Sequence, residues 1–127
     1  MGEWNHHVDE AENRLYIELS GEFTAEESKE SGDEVVELAE QMDPGFEVIT
    51  VMEGLVPADE EAVKHIERGK RAVRENGAAA AVRVLPESAT SQVQFENTGE
   101  GEEEYAVAHA ESVEQAEALL DKRRQQA

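Results

Sequence analysis

Apolar and polar residues alternate near the amino terminus of the chain. Between residues 14 and 20 the apolar side chains fall on one side of an extended backbone, which is the period of a half-buried β-strand. Trp4 to Val8 can pair with this segment through a turn at 9–13, so the two segments predict a hairpin. The apolar side of its second strand consists of Leu15, Ile17 and Leu19.

Spacings of three and four residues replace this alternation in two longer segments. Thr24 stands three residues before Glu27, the spacing of a capping box, and predicts a helix that runs to about Met42. A second helix is predicted between Asp59 and the turn at 76–77. The predicted inner faces are Val35, Leu38, Ala39 and Met42 in the first helix, and Ala62, Ile66, Gly69 and Val73 in the second.

Short apolar runs predict the remaining strands. Segments 46–52 and 79–85 are bounded by turn residues and have the composition of strands buried on both faces. An acidic loop at 99–104 separates them from a last strand at 105–109.

Segment 87–98 fits two patterns. Val93 and Phe95 alternate as in a strand, whereas Ser88 can cap a short helix, and we favour the helix. A final helix begins at a second capping box, 112–115. Its predicted buried residues are Val113, Ala116, Leu119 and Leu120.

Strands that alternate with helices at this spacing predict βαβ units. The expected fold is α/β, with a mixed, mostly parallel sheet of about five strands, an N-terminal hairpin and about four helices. With 127 residues the chain has the length of one domain, 1–127, whose ends we expect to fray at about 1–3 and 122–127.

The charge balance is strongly acidic. Aspartate and glutamate number 31 against 11 lysines and arginines, a formal net charge of −20. At low ionic strength this charge destabilises a compact state by self-repulsion, whereas molar salt shortens the screening length to about 3 Å. Because the hydrophobic pattern favours order over an acidic disordered chain, we interpret the composition as halophilic.

Composition also disfavours several classes of function. The chain has no cysteine, so disulfides, thiolate nucleophiles and cysteine-ligated metals are excluded. No apolar run approaches the length of about 18 residues that predicts a membrane span, and we expect a cytoplasmic protein. Nucleic acid and anionic membranes are poor partners for this charge, and Lys122–Arg124 more simply complements the dipole of the final helix.

Two loops, 53–60 and 86–91, are candidate sites because they follow the carboxyl ends of predicted strands, where open α/β sheets tend to bind ligands. Loop 86–91 carries hydroxyls that can bind an anion or a phosphate, although hydroxyls at a helix start commonly act as caps. Glu53 and Glu87 would end neighbouring strands, but solvated carboxylates are the simpler interpretation. The candidates are Glu53, Leu55, Pro57, Asp59 and Glu60 for partner binding, and Ser88, Thr90 and Ser91 for the anion.

None of the four histidines has the spacing of a metal site or a catalytic triad. His6 and His7 are adjacent, so on a strand they point to opposite faces and cannot chelate one ion. His65 and His109 are expected to be structural or exposed. We therefore predict a protein without a cofactor, a metal or an enzymatic activity.

Several short stretches, together with the order of the predicted elements, carry a resemblance to a known family. The stretches are His7-Val8-Asp9, Asn13-Arg14-Leu15-Tyr16-Ile17, Pro44-Gly45-Phe46, Val48-Ile49, Arg83-Val84 and Gln94-Phe95-Glu96. Over nearly its whole length the chain resembles the STAS domains of anti-sigma-factor antagonists. It is more closely similar to short uncharacterised prokaryotic and haloarchaeal STAS-like proteins. This resemblance implies a fold and carries no assigned activity.

In the antagonists, a serine at the start of the helix after the second core strand is phosphorylated to break a complex with a kinase. The equivalent stretch, 56–62, contains no serine or threonine, so the resemblance implies no phosphoswitch here. Asp59 or Glu60 can supply a permanent negative charge, although an aspartate N-cap is the simpler interpretation.

The expected function is therefore a non-enzymatic regulatory or protein-interaction module that acts through residues 55–60. Two alternatives stay open. An apolar cavity would favour the binding or sensing of a small apolar ligand, and a cleft of perturbed acids would favour an enzyme that uses strand-end carboxylates. Neither the partner nor the oligomeric state follows from the sequence.

The charge predicts a stability that rises with salt. We expect the urea midpoint of unfolding to increase between about 0.1 M and about 3 M KCl, because screening weakens the repulsion among the acidic side chains. Circular dichroism measures the midpoint. An unchanged or lower midpoint at the higher salt concentration would contradict the halophilic interpretation.

Overall fold

The computed structural model describes residues 2–84 and 106–126 of the chain. Segments 87–98 and 99–104, with Ser88, Thr90 and Ser91, lie outside these residues. Every strand predicted from the sequence is present, and the third continues beyond the expected Met52. The elements are β1 Glu3–Asp9, β2 Arg14–Phe23, α1 Ala25–Glu40, β3 Glu47–Pro57, α2 Glu60–Glu75, β4 Ala80–Val84, β5 Ala106–Ala110 and α3 Val113–Gln126.

The strands form one five-stranded sheet in the order β1-β2-β3-β4-β5. β1 is antiparallel to β2, and every other neighbouring pair is parallel. The predicted mixed, mostly parallel sheet with an N-terminal hairpin is therefore confirmed. Because the order follows the chain without a reversal, the described strands contain no switch point of the kind that opens a ligand crevice in α/β sheets.

Helices cover both faces of the sheet. α1 and α2 pack on one face, where alternate residues of β2 meet Val35 and Val73 of these helices. α3 packs on the other face, against Tyr16, Ile49 and Val82. The central strands are thus buried on both sides, which explains why β3 and β4 read as continuous apolar runs in the sequence.

The caps of α1 and α3 follow the sequence signals with one difference. Thr24 Oγ1 accepts a hydrogen bond from Glu27 N at 3.1 Å, and Glu27 Oε1 accepts one from Thr24 N at 3.0 Å. Ser112 Oγ likewise accepts from Gln115 N at 3.1 Å, but Gln115 Oε1 accepts from Glu111 N at 2.6 Å. The first capping box is confirmed. In the second, the side chain of Gln115 bonds the backbone N of Glu111 and not that of Ser112, the residue before the helix.

The inner face of α3 corrects one prediction. Ala116 and Leu120 are fully buried and Val113 packs beside them, whereas Leu119 is 38% exposed. Positions 113, 116 and 120 form a stripe with helical spacing, and Leu119 lies about 100° away from Leu120 around the helix. The predicted burial of Leu119 was therefore wrong, because one helix face cannot bury two consecutive residues equally.

A buried carboxylate ties α3 to the sheet. Glu47 Oε1, at the start of β3, accepts hydrogen bonds from Arg14 Nε at 3.1 Å and from Arg14 Nη2 at 2.9 Å. Arg124 of α3 donates to both oxygens of Glu47, at 2.6 and 3.1 Å. Arg14 also bonds Asp121 at 3.2 Å, and Arg124 bonds the Glu12 side chain at 2.7 Å. Residues of β2, β3 and α3 thus meet in one charged network, here called the Glu47 network.

The network gives Arg124 a partner that the sequence did not reveal. Its guanidinium reaches Glu47 and Glu12, 77 and 112 residues away in the chain, in addition to lying in the last turn of α3. Burial by itself lowers the pKa of Arg14, but hydrogen bonds, above all to Glu47, outweigh it and raise that pKa. The expected fraying of 122–127 stays a prediction, and the structure describes α3 through Gln126.

Among the residues of 2–84 and 106–126, no helix is long and apolar enough to cross a membrane.

Removal of the central carboxylate tests the Glu47 network. We expect Glu47→Ala to lower the free energy of unfolding by about 3 kcal/mol, because Arg14 is then left buried with its main partner gone. Asp33→Ala is the control, since its ion pair with Arg68 at 2.8 Å is on the surface and its loss should be much smaller. Equal losses in urea unfolding would contradict a special role for Glu47.

Candidate functional site

A cavity of about 70 Å³ lies between the sheet, α1 and α2. Most of its wall is apolar, but one part carries hydroxyl, imidazole and cationic groups. The apolar wall includes Ile17, Leu19, Phe23, Val35, Ile66 and Val73, and the polar groups are Ser28, Ser31, Thr50, His65, Lys70 and Arg83. We call this space the α1/α2 cavity.

The serines reach the cavity because they continue the inner stripe of α1. Ser28, Ser31 and Val35 are spaced by three and four residues and are all buried. Small polar residues thus occupy the first turns of a face that is apolar further along the helix. The sequence prediction began the inner face only at Val35 and missed these serines, although their spacing was the available signal.

α2 contributes a cation from its inner face. Lys70 is 7% exposed and lies next to Gly69 on the buried stripe that includes Val73. The two helices approach closely, since a Cβ atom at Gly32 of α1 would lie 3.2 Å from the carbonyl oxygen of His65. Glycine at that position therefore lets α1 and α2 close one side of the cavity.

The sheet contributes a row of five residues in register, four of which are polar. His6, Ile17, Thr50, Arg83 and His109 are paired across the five strands in that order. Side chains paired in register point to the same face of a sheet, and here Ile17 belongs to the core under α1 and α2. Thr50 and Arg83 line the cavity, and Arg83 is 5% exposed.

A buried histidine supports the serine side of the cavity. His6 Nε2 lies 2.9 Å from Ser31 Oγ. Burial lowers the pKa of His6, against the opposing effects of Glu34 on α1 and Glu18 on β2. Within the described residues His6 Nδ1 has no hydrogen-bond partner, so the pair lacks the third group that orients the base in a catalytic triad.

Ser28 differs from Ser31 in its hydrogen bonding. Its Oγ is buried and, within the described part of the chain, makes no hydrogen bond. Ser28 N bonds the Thr24 carbonyl oxygen at 2.9 Å, so only the side chain is unpaired. A buried hydroxyl that lines a cavity without a partner is the kind of group that a ligand satisfies.

The described side chains of the predicted partner loop are not among those that line the cavity. Asp59 caps α2, since its Oδ1 accepts from Ala62 N at 2.9 Å, and Glu60 is exposed at the first position of that helix. The side chains of Glu53, Leu55 and Pro57 are not among those that the structure describes, whereas Val56 is 39% exposed. The cap is confirmed, and the role in partner binding stays a prediction.

The remaining predictions concern histidines and metals. His6 faces α1, and His7 stacks on Tyr16 on the opposite face with ring centroids 4.6 Å apart, so the predicted opposite orientation is confirmed. His65 lines the cavity, a position that its sequence spacing did not indicate. In the ranges 2–84 and 106–126, no group of three or more histidine or acidic side chains is arranged to hold a metal ion.

Comparison of the chain with protein-family models and with curated proteins finds no match. The STAS-like resemblance therefore stays a prediction.

Two serines one turn apart give a matched test of the cavity wall. We expect Ser28→Ala to leave stability unchanged or to raise it by up to about 1 kcal/mol, because it removes an unpaired buried hydroxyl. Ser31→Ala should instead cost about 1–3 kcal/mol, because it leaves His6 buried without a hydrogen bond. Urea unfolding of both variants measures the difference. Losses of equal size would contradict the assignment of partners.

His6 predicts a pH dependence of stability. Its pKa in the folded protein is below the ordinary value of 6.5, so the unfolded chain binds the proton first as the pH falls. We expect wild-type stability to decrease, relative to His6→Gln, between about pH 7.5 and about pH 5.5. Urea unfolding at each pH measures the two stabilities. Parallel curves for the wild type and His6→Gln would contradict a buried neutral His6.

Proposed function

We propose that the protein binds a small molecule in the α1/α2 cavity and acts as a binding or sensing protein. The observation that carries the proposal is the buried hydroxyl of Ser28, a residue that is only 3% exposed and lines the cavity. This hydroxyl has no hydrogen-bond partner among the described residues. Leaving such a group unpaired costs free energy, and a ligand that bonds it recovers that cost.

The composition of the wall supports binding. Ligand sites are typically lined by apolar side chains with a few placed polar groups, and the cavity combines Val35 and Ile66 with Ser28 and Lys70 in this way. Its volume of about 70 Å³ is roughly half that of the engineered cavity of about 150 Å³ that holds benzene. A ligand that fits without rearrangement is therefore smaller than benzene.

Binding is favoured over catalysis by the surroundings of the pair formed by His6 and Ser31. Ser31 is an interior residue of α1, and its hydrogen bond to His6 fixes both side chains in the core. A nucleophile activated by a base needs that base to be oriented by a further group, which His6 lacks among the described residues. The pair is therefore best assigned to holding α1 against β1.

The second candidate is the protein-interaction module expected from the STAS-like resemblance. It is favoured by one observation, the 39% exposure of Val56 near the end of β3, directly before the start of α2. In this proposal the surface formed by Val56, Asp59 and Glu60 meets another protein in the cytoplasm of a halophilic cell. The absence of a serine or threonine in 56–62 means that any regulation of this contact does not use a serine phosphoswitch there.

Two substitutions separate the candidates. Ala81→Leu replaces a methyl by an isobutyl group at a residue of β4 that lines the α1/α2 cavity, and Val56→Asp adds a charge at an exposed position near the end of β3. Both are compared with the wild type after purification from native extract at molar salt. Native mass spectrometry then identifies the small molecules and proteins that co-purify.

The cavity proposal expects a small molecule on the wild type and on Val56→Asp that is lost from Ala81→Leu. A protein lost only from Val56→Asp would support the interaction module instead. Gly69→Ala is a milder filling variant if Ala81→Leu unfolds, because a Cβ atom at Gly69 meets Val35 Cγ1 at an ordinary 3.6 Å. If the wild type carries no molecule and none of a fragment library stabilises it, the cavity proposal is wrong.

A further inference from the structure

We infer that the ligand of the α1/α2 cavity is a small neutral molecule with a single hydrogen-bonding group, of the class of the two-carbon alcohols. Its polar atom bonds the Ser28 hydroxyl, and its carbons lie against the apolar wall. This inference rests on the proposed function and names its class of ligand. Three features of the cavity carry it: its one unpaired polar atom, the state of its charged groups, and its volume.

The hydrogen bonding of the wall leaves one position open. In the described part of the chain, the buried side-chain nitrogen and oxygen atoms without a hydrogen bond are His6 Nδ1 and Ser28 Oγ. His6 is not among the residues that line the cavity, and the Ser31 hydroxyl, which is, lies 2.9 Å from His6 Nε2. A ligand with one polar group therefore matches the wall, because each further polar group would lose its bonds to water on burial.

The charged groups of the wall favour a neutral ligand. The described residues with a permanent charge that line the cavity are Lys70 and Arg83, and each of them already has an interaction within the protein. An ion that enters a buried space loses its hydration and needs a counter-charge that is not yet engaged. A neutral ligand has no such requirement, so the inference uses no charge of the wall.

The volume restricts the ligand to very few atoms. A cavity of about 150 Å³ holds the six carbons of benzene, so in proportion the α1/α2 cavity of about 70 Å³ admits about three non-hydrogen atoms. If one of these is the polar atom, the others are carbons that contact Val35, Ile66 and Val73. Ethanol has this size, and its hydroxyl can donate to Ser28 or accept from it.

The first test compares ethanol with formate and ethylammonium, which have as many non-hydrogen atoms but carry a charge. Each is titrated into the full chain at constant ionic strength, and methyl shifts in ¹H–¹³C NMR spectra report binding. Nuclear Overhauser effects to the methyl groups of Val35, Ile66 and Val73 locate ethanol in the cavity. We expect a Kd for ethanol of about 1–20 mM, near the limit for so small a ligand, and binding at least about tenfold tighter than that of either ion.

The length of the alcohol provides a second readout. Binding to an exposed apolar surface strengthens with every added CH₂ group, whereas a cavity of this size has no room for a longer chain. We expect ethanol to bind about fourfold more tightly than methanol, and 1-butanol to bind more weakly than ethanol. A continuous increase in affinity from methanol to 1-butanol would overturn the inferred size of the ligand.

A variant of the wall tests the hydrogen bond. Ser28→Ala, which should fold at least as well as the wild type, is expected to weaken ethanol about three- to tenfold. Xenon, an apolar probe of protein cavities, should bind this variant as it binds the wild type. Lys29→Ala is the control, because the neighbouring Lys29 side chain is 63% exposed, and it should leave both probes unchanged. Equal binding of ethanol by Ser28→Ala and the wild type would overturn the assignment to Ser28.

The outcomes separate this inference from the proposed function. Binding of formate or ethylammonium as tight as that of ethanol would overturn the choice of a neutral ligand and leave the cavity as a binding site. Binding of xenon without binding of ethanol would overturn the choice of a polar ligand in the same way. If these probes and a fragment library all leave the methyl groups of Val35, Ile66 and Val73 unshifted, both the inference and the proposed function fail.

Discussion

The fold depends on the way in which it buries one negative charge. Among the described residues, Glu47 is the acidic side chain that the core encloses, and it is 2% exposed. An isolated carboxylate at this depth would cost several kcal/mol, and the guanidiniums of Arg14 and Arg124 offset that cost. Because these partners come from β2 and α3, the pairing also fixes where α3 crosses the sheet. The few apolar contacts of α3, chiefly Ala116 and Leu120, would by themselves specify this position weakly.

The polar groups under α1 and α2 differ from the Glu47 network in their hydrogen bonding. The Glu47 network pairs its charges fully within the protein, whereas Ser28 on the other face stays without a hydrogen bond in the described structure. Two buried clusters of polar residues thus differ in how completely they are paired. The first ties secondary-structure elements together, and the second leaves the Ser28 hydroxyl without a partner among the described residues. The proposed binding site is the second cluster.

The sequence was sufficient to predict the described strands and helices and insufficient to predict the α1/α2 cavity. Local signals, such as the capping box at Thr24 and the alternation in β2, specify strands and helices because they depend on neighbours a few residues apart. Ser28 is on the inner stripe of α1 by its spacing, but its polar side chain disguises this position, and the burial of Lys70 follows from the close packing of α1 on α2. His6 likewise has its partner 25 residues away. Such pairings are properties of the assembled fold, so no local pattern contains them.

The order of the sheet has a consequence for the way in which the chain folds. Each described strand lies beside its predecessor in the sequence, so a chain that emerges from the ribosome can add β2, β3 and β4 one after another onto a growing edge. The bonds from Arg14 to Asp121 and from Arg124 to Glu12 span 107 and 112 residues and cannot form until α3 has been synthesised. Among the described elements α3 therefore packs last, and until then none of the described helices covers that face of the sheet.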